Sequence, residues 1–112
     1  MKDKTMYECK HNWREIIKNI DPVLEEHVTS FASYALANDS EIPRKYKELM
    51  LMVSSASIRY GSSTRTHGCA AMQHGATKKE VIEALALASL TSGFTAFIDG
   101  IEALGDQITV ED

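Results

Sequence analysis

The stretch "GATKKEVIEALALASLTSGFTAFIDGIEAL", Gly75 to Leu104, decides the fold class. Thr77-Lys78-Lys79-Glu80 is a capping box: the Thr hydroxyl takes one free backbone N–H, and the Glu carboxylate reaches back to another. Behind it Val81, Ile82, Leu85, Leu87, Ala88 and Leu90 recur at helical spacing and cover more than one face. Gly93 breaks that helix. Phe94, Phe97, Ile98, Ile101 and Leu104 then stripe a last one, with Asp99, Glu102 and Asp106 on its outer side.

The same period runs toward the N-terminus. Residues 62–77, "SSTRTHGCAAMQHGAT", read as a helix capped by Ser62 or Ser63 and ending at Gly75. Gly61 is the expected stop of the helix before it, Lys45 to Tyr60. In that helix Leu49 through Val53 is apolar on every side, which predicts burial all round. "NDSEIPRK" is the loop ahead of it, with Pro43 near the helix start. Asp21-Pro22 opens an earlier helix that runs to about Asn38 and is expected to bury Leu24, Val28, Phe31 and Ala35. Trp13, Ile16, Ile17 and Ile20 mark a first short helix. No period-two alternation persists anywhere, so the chain is read as all-α, a bundle of about six helices.

At 112 residues the chain is expected to be one domain, 1–112, with residues 1–10 as a loose N-terminal arm. Twelve basic against sixteen acidic residues give a net charge of −4 with no basic block or stripe, which speaks against a nucleic-acid partner. The N-terminal "MKDKTMYECKHNW" carries no apolar stretch of signal-peptide type, and "LMLMV" and "ALALASL" are too short to span a bilayer. The expectation is a cytoplasmic protein without a membrane partner. Cys9 and Cys69 lie sixty residues apart, which argues against a structural disulfide. Two helices apolar on several faces exceed what a chain of this size covers by itself, so a homo-oligomer is expected.

Chemistry-bearing residues cluster in the middle. Ser63, His67, Ala70, Ala71 and His74 share a helix face, and Ser63 and His67 are neighbours at i, i+4. A serine there can simply cap the helix, and a histidine there can simply bond a neighbouring helix. His67 and His74 are badly spaced for a shared metal, and no further Cys or His completes a set, so no metal is expected. Glu48 stands directly before the most apolar run and shares a face with Met52, Ser55 and Arg59. It can favour the helix dipole there, or point into a polar seam.

Residues 45–104, from "YKELMLMV" through "SSTRTHGCAAMQHGATKKEVIEAL" to "GFTAFIDGIEAL", resemble the carboxymuconolactone decarboxylase family with its alkylhydroperoxidase D-like members. The resemblance implies a helical bundle assembled as a trimer or hexamer, with Glu48 and His67 facing one site. The peroxidase-like branch carries Cys-x-x-Cys ahead of the histidine, and those positions are Tyr60 and Ser63 here. A hydroxyl is neither an appreciable thiolate nor able to form a disulfide, so a dithiol cycle cannot run at them. The decarboxylase branch lacks the cysteines and keeps the histidine. It implies a lyase acting on a small lactone or carboxylate without a cofactor. Glu48 and His67 would be the catalytic pair, with Tyr60, Ser63, Arg59 and Arg65 available to hold the substrate. Two other readings stay open: a non-catalytic oligomeric binding or scaffold protein, and a peroxidase-like enzyme using Cys69.

Overall fold

The structure, a computed structural model, describes residues 13–37 and 39–109. The expected N-terminal arm and Cys9 lie outside the described residues. Those described form six α-helices and one 3-10 turn, with no strand among them: α1 (Trp13–Ile20), α2 (Pro22–Leu36), α3 (Arg44–Ser57), α4 (Gly61–Gln73), α5 (Lys78–Ser92), α6 (Phe94–Leu104) and η1 (Gly105–Gln107). The all-α reading holds. The chain divides into two compact units, Met1–Asn38 and Asp39–Asp112.

In the first unit α1 packs on α2. Asp21 caps α2, its carboxylate accepting from Leu24 N–H at 3.1 Å, and Pro22 occupies the first turn, where its missing N–H is harmless. The expected burial along α2 is not what the chain does. Phe31 and Leu24 are exposed, as is Ala35, and only Val28 is half-buried. Two helices present one seam to each other and leave their remaining apolar residues outside.

The second unit is a ring of four helices. α3 packs on α4 and α5, and α6 closes the ring by packing on the same two. Met52, Ala56, Ala71, Ala76, Val81, Leu85, Leu104 and Ile108 form its core. Leu49–Val53 is not buried all round: Met52 is fully buried, while Met50 and Leu51 are exposed. A helix in a four-helix ring has one inward stripe, and a run apolar on every face must leave the rest outside.

Both expected helix borders in mid-chain shift. Gly61 is not the stop of α3 but the first residue of α4. The stop is Arg59, a non-glycine residue at φ 61°, whose N–H bonds Ala56 O while Tyr60 N–H bonds Ser55 O. Neither Ser62 nor Ser63 caps α4. Tyr60 takes the N-cap position, with no side-chain cap bond. Downstream the borders match: the Thr77–Glu80 capping box forms in both directions at 3.0 Å, and Gly93, at φ 92°, separates α5 from α6.

Two glycines let this ring close. A Cβ on Gly68 would stand 2.5 Å from Leu104 Cδ2 and 3.1 Å from Met52 Sδ, and one on Gly100 would stand 2.7 Å from Leu85 Cδ2. Both sit where helix backbones meet core side chains with no room for a methyl group.

Candidate functional site

α3 begins without a capping side chain at Pro43; Asp39, four residues back, accepts the Arg44 N–H at 2.6 Å instead. That start sets Glu48 on the second turn, with Met52 and Ser55 following it along the buried face. Glu48 is 1% exposed, a carboxylate that must find partners inside the protein. It finds two. Arg44 Nε donates to Oε2 at 2.8 Å from one turn earlier on α3, and His67 Nδ1, in the middle of α4, lies 2.7 Å from Oε1.

A second polar rung joins the same helices closer to their connecting turn, where Ser55 Oγ and Ser63 Oγ are 2.7 Å apart. α3 and α4 thus meet through two rungs, with Met52 between them on the α3 side. Among the described residues no buried side-chain nitrogen or oxygen lacks a partner.

The His67 side chain is 24% exposed, and its Nδ1 faces Glu48. Nε2 is the ring nitrogen that Glu48 does not engage. The constellation can hold a carboxylate and an imidazole in fixed register and pass one proton through the outer ring nitrogen.

The structure brings together Glu48 and His67, while Ser63, one turn before the histidine, bonds Ser55. Tyr60 is exposed at the head of α4, and its carbonyl accepts from the Thr64 hydroxyl at 2.9 Å. The two expected arginines are directed elsewhere. Arg59 pairs with Asp99 at 3.2 Å and bonds the Thr95 hydroxyl. Arg65 donates to the carbonyls of Ala103 and Leu104 at 3.2 and 3.1 Å and to Asp106 at 3.1 Å, closing the C-terminal end of α6. Its guanidinium holds the Asp106 carboxyl below the ordinary carboxylate range. Cys69 is a free, half-buried thiol two residues past His67. Among the described residues no three His, Cys, Asp or Glu side chains cluster as metal ligands would.

Arg44 was missed by sequence reasoning. Its signal was present: an arginine four residues before a carboxylate at a helix start is a standard ion-pair spacing. What the spacing did not reveal is that this carboxylate is buried.

Three cavities open on this unit. One of about 350 Å³ is lined by Arg59, Thr64, Asp99 and Glu102 among others, and one of about 330 Å³ by Arg44, Lys45, Tyr46 and His74. An apolar one of about 420 Å³ lies between α3 and α5, beside Leu49, Val53 and Leu87. Neither Glu48 nor His67 lines any of the three.

Compared with known families, residues 22–106 match the model of the carboxymuconolactone decarboxylase family. The match extends across both units, well beyond the 45–104 segment in which the resemblance is read from sequence. Comparisons with curated proteins and with solved structures return no match.

Proposed function

The chain belongs to the carboxymuconolactone decarboxylase family, and from that footing we propose that it is a cofactor-independent lyase acting on a small lactone or carboxylate substrate, with His67 and Glu48 as the proton-transfer pair. The observation that carries this reading is the 2.7 Å contact between a buried carboxylate and a partly exposed histidine. In the reaction the bond between the ring carbon and the carboxylate breaks, and carbon dioxide leaves. The electron pair spreads into the lactone carbonyl, and a proton taken up at His67 Nε2 is delivered to the carbon. Glu48 accepts the hydrogen bond from Nδ1–H throughout and keeps the ring in register. Tyr60 and Ser63, within the two turns before His67, are the proposed substrate contacts. Arg59 and Arg65 would join them by exchanging an acidic partner for the substrate carboxylate.

Exposed apolar side chains support a homo-oligomer, a trimer or hexamer: Met50, Leu87, Leu90 and Phe94 in the second unit are each more than half exposed. No described helix is long and apolar enough to cross a membrane.

The test is carbon dioxide release from a panel of γ-lactone carboxylates, with deuterium incorporation from solvent, by the parent protein and by His67→Gln. The proposal expects turnover in the parent and a loss of about 10²–10⁴-fold in the variant. Saturable binding of the same lactones without turnover would favour the non-catalytic binding reading. Turnover untouched by His67→Gln would remove the pair from the mechanism.

A further inference from the structure

A carboxylate offers only acceptor sites, so a neutral imidazole bonded to it through Nδ1 must carry its proton on Nδ1 and its lone pair on Nε2. This is the tautomer that free histidine in water disfavours. Whether His67 holds it depends on Glu48 keeping one oxygen aimed at the ring. A carboxylate turns readily about its terminal torsion, where the preference is broad and two-fold. In Glu48 that rotation is blocked: Oε2 is held by Arg44 Nε at 2.8 Å, which leaves Oε1 directed at His67. The Arg44 backbone is anchored at the start of α3, where Asp39 in the preceding loop takes its N–H at 2.6 Å.

We propose that Arg44 is a positioning residue that acts through Glu48 to hold neutral His67 as the Nδ1–H tautomer, leaving Nε2 as the one nitrogen that gains and loses a proton. The catalytic consequence rests on the reading of His67 as the proton carrier; the tautomer itself does not. The planar Nε–H donor of Arg44 suits an in-plane carboxylate oxygen, which the point charge of a lysine replaces only in part.

The experiment is nitrogen-15 long-range correlation NMR of the full chain. It is recorded over a pH series and read on the plateau where the imidazole is neutral, with the His67 signal assigned by its loss in His67→Gln. The parent, Arg44→Lys and Arg44→Gln are compared, together with kcat and KM for the lactone carboxylate that the parent turns over best. The expected result is a predominant Nδ1–H form in the parent and a clear shift toward Nε2–H in Arg44→Gln, with Arg44→Lys between them. In the same order kcat falls, by roughly ten- to a hundredfold in Arg44→Gln, with KM little changed. If Arg44→Gln does not fold, Arg44→Lys decides. A predominant Nε2–H form in the parent overturns the proposal, and so do unchanged tautomer populations in the variants. A tautomer shift with no lactone turned over by the parent upholds the role of Arg44 and removes the lyase reading alone.

Discussion

Oε1 of Glu48 lies 2.7 Å from Nδ1 of His67, joining two residues nineteen apart in sequence and on different helices. Arg44 holds the other oxygen of the same carboxylate. Replacing Glu48 by alanine therefore leaves two donors without their acceptor and opens a void beside Met52. Glu48→Ala should lose about 3 kcal/mol of stability, near the low end for breaking a buried pair, because Arg44 and His67 are each partly solvated. Glu48→Met, of similar volume, should recover part of that loss while abolishing turnover. Urea unfolding of both variants, with activity measured in parallel, separates the two effects; equal stability of Ala and Met variants would contradict it.

Tyr60 and Ser63 stand where a thiol pair would be needed, and Cys69 is half-buried. Alkylating the accessible thiols should leave turnover of lactones unchanged, and organic hydroperoxides should not be reduced. Hydroperoxide turnover that disappears in Cys69→Ala would reverse this assignment.

Gly68 and Gly100 leave no room for a Cβ against Leu104 and Leu85. Gly68→Ala should cost about 1–3 kcal/mol through overpacking against Leu104. The added methyl meets a side chain rather than backbone, so Leu104→Ala should be less harmful in the Gly68→Ala background than in the parent. A thermodynamic cycle over the four proteins measures this coupling, and strict additivity would rule the clash out.

Two surface carboxyls titrate below their ordinary values. Glu80 is held down first by the Thr77 backbone N–H and then by Lys45, and Asp106 by the hydrogen bond and charge of Arg65. In each case the folded value is the lower one, so the stabilisation is complete above the ordinary values of 4.5 and 3.8. It is lost as pH falls through the folded values, because the unfolded chain takes up protons first. The stability gap between the parent and a Glu80→Ala/Asp106→Asn double variant should thus narrow on acidification below about pH 4.5. Thr77→Ala, which removes the other half of the capping box, should cost about 1 kcal/mol at neutral pH. Denaturant midpoints at stepped pH test both statements; a gap that stays constant from neutral pH to below pH 4 would show that neither carboxyl is depressed.

Met50, Leu87, Leu90 and Phe94 leave a large apolar area uncovered on the second unit. Light scattering at micromolar concentration should give a multiple of the chain mass, and Leu90→Lys should shift it downward. A monomer in the parent would refute the assembly.

Helix identity was legible in local sequence because its causes are local. The Thr77–Glu80 box, the Asp21–Pro22 start and the Gly93 break each act within one turn of chain, and all three appear where the residues predict. Burial was not legible in the same way. Leu49–Val53 and the α2 residues Leu24 and Phe31 are apolar enough for a core, but only packing decides which face is covered, and within one chain most of them are not. The α3 stop went to Arg59, at φ 61°, rather than to Gly61, and the side chain of that arginine meets Asp99 and Thr95 on α6, partners that local spacing does not reveal. Glu48 and His67 could be singled out as residues from the sequence. That they touch, and that Arg44 completes the pair, followed only once α3 folded back on α4, since a contact between helices is set by how their faces meet and not by the spacing along either one.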